Sequence, residues 1–408
     1  MSQTSRHDPF GQRHATIKFL RKSSFHFPHP LLNPGVIPLR LLPLVLLSLA
    51  PLVPLQVRAE EPAHLQIFNG SSQTIDLFEM KSATQRIPSG SVAPGAETNL
   101  NTTLGQRFVL IGREDPQEIS VISKVKIQGF RYDPSSKDGI PAFYTQIEKL
   151  RGFPIVASAK VNPYALKEAA FICNLMLVKR PDVLQAMVES GARLCILGYQ
   201  EFTCDLPEFH HLGREPVPKF EKFSGKDFWD ARARGTGGSE TDPFASCAEE
   251  NLLSFPGDPY STENILIHEF AHSIHLRGLN NVDPTFDARL HQTYLAAMKA
   301  GLWKTKYASV NDREYFAEGV QSWFDNNREN DHDHNHVNTR AELIEYDPAL
   351  AALCREVFAD TEIKYTKATT RLHHHLEGYD PATAPSFVWP ERLQAVKEAI
   401  HHQAVNRN

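Results

Sequence analysis

No two cysteines in this 408-residue chain stand in a CxxC arrangement. Cys173, Cys195, Cys204, Cys247 and Cys354 are odd in number and far apart, so their spacing fits neither a disulfide-knit scaffold nor a thiolate metal site. One or two bridges involving Cys195 or Cys204 stay compatible with it. Positive charge is short as well. Seven basic residues lie within 1–59, against Asp8 alone, which leaves 36 Lys and Arg against 47 Asp and Glu over 60–408, a net −11. That composition excludes a phosphate-backbone binder, whose affinity rests on clustered cations, and nucleic acid is set aside as a partner. Long hydrophobic runs are missing with one exception. Leu41–Leu55 is apolar but broken by prolines and a serine, and is too short for a comfortable membrane span. It follows a basic stretch and ends at Val57-Arg58-Ala59, the small-x-small shape of a signal-peptidase site. The expectation is a leader and signal peptide over 1–59, a mature start at Glu60, and a secreted or periplasmic protein with no stable membrane insertion after cleavage. The alternative is an uncleaved signal anchor, against which three prolines inside a helix count.

From His64 to Gly112 short β-rich runs (HLQIFN, TIDLFEM, RFVLIG) alternate with turn-rich pieces (NGSSQ, PSGSVAPGAE, NTTLGQ). This spacing predicts a small β-sandwich over 62–115. Beyond Arg113 the pattern is mixed. FPIVASA (153–159) and RLCILGY (193–199) read as buried strands, and between them two segments opening at Pro163 and Pro181 have helical periodicity. Residues 205–262 read as long loops anchored by Phe228 and Trp229, and the chain from Ser261 onward as mostly helical. The fold class expected is α+β, a small N-terminal β-sandwich followed by a mainly helical domain over 116–400 with its core at about 150–365.

The central chemical signal is Ile267-His268-Glu269-Phe270-Ala271-His272. Two histidines four apart on a helix project from one face and can meet one cation. This is HExxH, in which both histidines bind Zn²⁺ and the glutamate takes a proton from the zinc-bound water as it attacks a carbonyl. Ile267, Phe270, Ala271 and Ile274 supply the opposite, buried stripe, and Ser261 or Thr262 is the candidate N-cap. A metzincin would need HExxHxxGxxH, but His275 and Gly278 stand where its glycine and third histidine belong. Downstream, Glu314 and Glu318 lie one turn apart, with Phe316, Val320, Trp323 and Phe324 to bury the far side. This is the gluzincin arrangement. Glu314 is read as the third zinc ligand, leaving the fourth position for water, and Glu318 as the carboxylate that orients a ligand histidine from outside; the reverse assignment stays open.

Three resemblances add to this reading. HEFAH followed by YASVNDREYFAE resembles the catalytic domain of the anthrax lethal factor family, which has HEFGH, then a tyrosine, an asparagine and EFFAE in the same order. The likeness spans roughly 260–360 and implies a zincin-like metallopeptidase with one catalytic Zn²⁺. It also implies that Tyr307, seven residues before Glu314, stabilises the oxyanion of the tetrahedral intermediate; the other reading is a packed tyrosine. DPYSTENILIHEFAHSIH and EYFAEGVQSWFDNNREN are similar to a family of exported zinc metallopeptidases over about 150–390. IFNGSSQTIDLFEM with SVAPGAETNLNTTLGQRFVLIG resembles the β domain of the von Hippel-Lindau tumour suppressor family, which implies a peptide or protein partner for this domain. A spacer that covers or positions the next domain is the alternative.

Weaker candidates complete the list. Asp331-His332-Asp333-His334-Asn335-His336 reads as a second metal site, a solvated loop or a border of the substrate cleft. His373-His374-His375 and His401-His402 read as surface histidines. Trp229 to Gly238 reads as a cleft wall whose arginine holds a substrate carboxylate, or as the seat of a structural arginine ion pair. Ser246 to Glu250 reads as the edge strand for a peptide substrate, or as a plain connector. The expected function is a zinc metalloendopeptidase acting on polypeptides with Glu269 as general base. The rival is a zinc-bound, non-catalytic scaffold that uses its β domain for partner recognition.

Overall fold

A computed structural model of the chain describes residues 61–214 and 216–405. The leader, the signal segment and the cleavage site expected before Glu61 lie outside the described residues. Among these residues no helix is long and apolar enough to cross a membrane.

Seven strands come first: β1 (Pro62–Asn69), β2 (Ile75–Met80), β3 (Arg86–Val92), β4 (Glu97–Thr103), β5 (Arg107–Gly112), β6 (Glu118–Ile122) and β7 (Ile127–Tyr132). They form two sheets in the orders β4-β1-β7 and β3-β2-β5-β6. Leu65 and Ile67 of β1, Ile75 and Leu77 of β2, and Phe108 and Leu110 of β5 sit two apart along their strands, so one face of each strand fills a shared core. The sandwich runs past residue 115, where the turn-rich text suggested its end. β6 pairs with β5 and β7 lies parallel to β1, so 118–132 belong to the same two sheets.

The next elements are β8 (Gln146–Leu150), β9 (Phe153–Ala157), α1 (Pro163–Leu177), α2 (Pro181–Glu189), β10 (Arg193–Leu197), α3 (Gly225–Arg232), β11 (Gly235–Thr236), β12 (Phe244–Ala248) and the single turn α4 (Glu249–Leu252). Their strands make a sheet in the order β11-β12-β10-β9-β8, with β9, β10 and β12 parallel and the two edge strands antiparallel. Helices follow: α5 (Ile265–Ser273), a π-helical turn over Ile274–Leu279, the short α6 (Asn280–Val282), α7 (Phe286–Ala300), α8 (Asp312–Trp323), α9 (Arg340–Tyr346), α10 (Pro348–Phe358) and α11 (Glu391–Val405). The architecture is α+β, as the sequence pattern indicates.

The 205–262 stretch is more ordered than its composition suggests. Ser224 accepts a hydrogen bond from Asp227 N and caps α3, and β11 and β12 follow. Ser246 is interior, because β12 is paired on both sides, and Glu249 and Glu250 have already turned into α4. The edge beside β12 is therefore Gly235–Thr236, with β8 forming the opposite edge. All five cysteines are buried and free. Cys195 and Cys247 occupy neighbouring strands but belong to core clusters on opposite faces of the sheet, which excludes a bridge between them.

One hydrophobic core joins the sheet to α5 and α8. Ile267, Phe270, Ala271 and Ile274 of the first and Phe316, Val320, Trp323 and Phe324 of the second and its end are all fully buried. Burying side chains of this size contributes about 1.5–3 kcal/mol each. The stripe fixes the rotation of both helices and so fixes which side chains face away from it.

Candidate active site

Two asparagine caps set the start of each site helix. Asn264, rather than Ser261 or Thr262, caps α5 by accepting from Ile267 N at 3.3 Å, and its own N–H donates to Asn326 just beyond α8 at 2.7 Å. Asn311 caps α8 by accepting from Arg313 N and Glu314 N, each at 2.9 Å. Glu314 thereby sits in the first turn of α8, opposite the two histidines of α5.

The three expected ligands converge. His268 Nε2 lies 3.1 Å from Glu314 Oε2, His272 Nε2 lies 3.3 Å from the same oxygen, and the two Nε2 atoms are 3.2 Å apart. A tetrahedral zinc with bonds of about 2.0–2.1 Å separates its ligand atoms by roughly 3.3–3.4 Å, so this triangle has the size of one face of such a site. The donor set, two imidazoles and a carboxylate, also suits zinc. Both histidines are only 8% exposed.

The tautomer of His268 is fixed from behind. Its Nδ1 is 2.8 Å from Gln321 Oε1, while Gln321 Nε2 donates to the Glu263 carboxylate at 2.9 Å. A carboxylate only accepts, so the amide nitrogen faces Glu263, the amide oxygen faces His268, and Nδ1 carries the proton. Nε2 is left to point at Glu314 and His272. Glu318, the expected orienting carboxylate, is more distant from Nδ1 at 3.5 Å. It is held by Asn327 Nδ2 at 3.0 Å and by His334 Nε2 at 3.3 Å, and His334 Nδ1 reaches Asp331 at 2.8 Å. Within the 331–336 run, then, His334 is a buried partner of Glu318 in the outer layer of the site. The His332 ring pairs with its neighbour Asp333, and His336 packs against the Tyr346 ring. Gln321→Leu is expected to strip His268 of its acceptor and weaken zinc binding about 10–100-fold, measured by chelator competition.

Charge is tightly coupled here. Burial alone would raise the Glu314 carboxyl, but its bonds to His268 and His272 outweigh that and hold it well below the usual carboxylate range. Burial would lower His268; Glu314, Glu269 and Glu318 together push it up to about 10. Burial raises Glu269, with His268 and His272 offsetting part of the effect. A carboxylate of raised basicity next to the ligands is what a general base requires.

Glu269 faces the sheet edge. A Cβ on Gly235 would fall 3.1 Å from Glu269 Cγ, and one on Gly237 would fall 2.6 Å from His272 Cδ2. Gly235 and Gly237 thus let the edge strand lie directly on α5. Of the two arginines flanking this strand, Arg234 is structural. It is fully buried, pairs with Glu250, donates to Gly198 O at 3.0 Å and lies between the Phe202 and Phe387 rings. Arg232 is exposed and its guanidinium lies beside Tyr307. The Tyr307 ring is centred 6.1 Å from that of His268, and burial pushes its phenol up, so the hydroxyl keeps its proton and can donate.

Gln321 is the site residue whose sequence signal was present but unread: 314, 318 and 321 share one helical face. His334 and Arg232 fall within the 331–336 and 229–238 segments that the sequence singles out, but no spacing rule assigns their partners, and none reaches Asn327. Elsewhere, His373, His374, His401 and His402 are exposed, but His375 is half-buried and 2.7 Å from the buried Glu168. No known protein-family model and no curated protein matches this chain.

Proposed function

We propose that this chain is a zinc-dependent peptidase of the gluzincin kind, with His268, His272 and Glu314 as ligands and a polypeptide as substrate. The observation that carries the reading is the triangle of three donor atoms 3.1–3.3 Å apart, with Glu269 one residue from the first of them. Zinc bound there would lower the pKa of a coordinated water toward neutrality and polarise the scissile carbonyl. Glu269 takes the proton of the attacking water and returns it to the leaving amine. Tyr307 donates its hydroxyl proton to the oxygen on which charge develops. The free edge at Gly235–Thr236 offers backbone groups along which an extended peptide pairs antiparallel, and it passes directly over Glu269. Gln321 and Glu318 hold the ligand set in its orientation.

Tyr307→Phe is expected to lower kcat on the order of 10²-fold with little change in KM, because the lost hydrogen bond forms only as charge develops. Equal kcat in both proteins would leave Tyr307 as a packing residue. The function itself is tested by exposing a mixed peptide library to the purified protein and reading products by mass spectrometry. Cleavage that stops with a chelator and returns with zinc is expected. An intact library in the presence of bound zinc would favour the scaffold reading instead.

A further inference from the structure

We infer that Arg232 is a substrate-binding residue that selects peptides bringing a carboxylate to the cleft. On the peptidase reading, on which this rests, the substrates are chains with an acidic side chain or a free C-terminus within about three residues of the cleaved bond. Arg232 ends α3 three residues before Gly235, so at most about 11 Å of backbone separates it from the edge at which a peptide would pair. Its guanidinium lies beside the Tyr307 phenol, whose ring is centred 6.1 Å from that of His268, and near enough to Glu269 for its charge to act on that carboxyl. Arg232 therefore borders the reacting groups and the edge strand at once.

The backbone that carries this side chain is fixed, yet the charge has no counter-ion. Ser224 caps α3, and Arg392 ties Asp227 and Asp230 of that helix to α11. Two residues on, Arg234 is locked against Glu250 in the interior. Among the described residues, no carboxylate forms an ion pair with Arg232. The acids of its own helix are held by Arg392 and Lys226, and Glu263 beside the site is held by Arg328 at 2.9 Å.

The charges at the site lead to the same result. With neutral imidazoles, Glu269 and Glu314 balance the two positive charges that a zinc would bring, and Glu318 is engaged by His334 and Asn327. Arg232 is then the cation left over, and it is exposed. A guanidinium meets a carboxylate with two parallel charge-assisted hydrogen bonds, whereas a neutral amide offers one oxygen and no charge. Water screens an exposed pair, so the expected selectivity is about fivefold to tenfold rather than the larger effect of a buried one.

The test uses a random decapeptide library in three forms: unmodified, with Gln and Asn in place of Glu and Asp, and with the C-terminus amidated. Each is passed over the immobilised full chain, stripped of metal, and the retained peptides are read by mass spectrometry. The parent should retain the unmodified form about fivefold to tenfold better than one of the other two. Loss on removing the acidic residues assigns the side chain as the ligand, and loss on amidation assigns the C-terminus. Arg232→Gln should abolish the preference, and Arg232→Glu should turn it toward peptides rich in Lys and Arg, a reversal that a merely structural arginine would not produce. Should Arg232→Glu not fold, Arg232→Lys keeps the charge, lacks the fork and should keep only part of the preference. Equal retention of all three forms by the parent, or a preference unchanged in Arg232→Gln, would overturn the assignment. Retention needs neither turnover nor zinc, so failure of the peptidase reading shows separately, as selective retention without cleavage by the zinc-loaded chain.

Discussion

Glu269→Gln is expected to cut peptide hydrolysis on the order of 10³-fold or more while zinc stays bound. Glutamine has the same shape and keeps the contact beneath Gly235, so the helix and the ligands flanking it need not move. What it loses is the ability to accept a proton, the step that no other carboxylate nearby is placed to take over. Glu314 is engaged by both histidines and Glu318 by His334 and Asn327. The measurement pairs kcat with zinc content in the same samples. A variant within tenfold of the parent, with its metal intact, would remove Glu269 from the role of base.

The second large effect concerns pH. Zinc affinity of the metal-free chain is expected to rise about tenfold per pH unit between pH 5 and 8, roughly 10³-fold in all. The sign follows from His268. With burial outweighed by Glu314, Glu269 and Glu318, its pKa in the metal-free fold stands at about 10, so throughout this window Nε2 carries a proton that bonds to Glu314. Zinc has to displace that proton, and each rise in pH makes the displacement easier until about pH 10, where the dependence should flatten. Titration calorimetry in buffers of different ionisation enthalpy should register about one proton released per zinc near pH 7. An affinity flat from pH 5 to 8 would mean that His268 is already neutral, or that it does not ligate. For the same reason an activity that is full at pH 4 would count against this site.

Much of the site was legible because helices impose a period. HExxH places His268 and His272 on one face whatever surrounds them, and the apolar residues between them identify which face is buried. The same logic orders Glu314, Glu318 and, on the same face, Gln321. The distances reverse one expectation within that group: Gln321, at 2.8 Å, is the nearer acceptor for His268, and Glu318, at 3.5 Å, serves chiefly to join it to His334. A local pattern gives the face but leaves open which of two polar side chains reaches farther. The edge strand was misplaced for a related reason. Phe244–Ala248 has the apolar text of a strand, and that apolarity is the mark of an interior strand, whereas the real edge is two residues long and glycine-flanked. A two-residue strand has no period to read. The end of the sandwich was also missed, since β6 and β7 are joined to it by pairing with β5 and β1 rather than by any continuity of composition.

The most direct test of the metal centre is the zinc content of the purified full chain beside that of Glu314→Ala, both dialysed against metal-free buffer. One zinc per chain in the parent, and its loss from the variant, is the expected result. A parent that retains no zinc, or a Glu314→Ala protein that holds it as firmly as the parent, would contradict the assignment of His268, His272 and Glu314 as a single metal site.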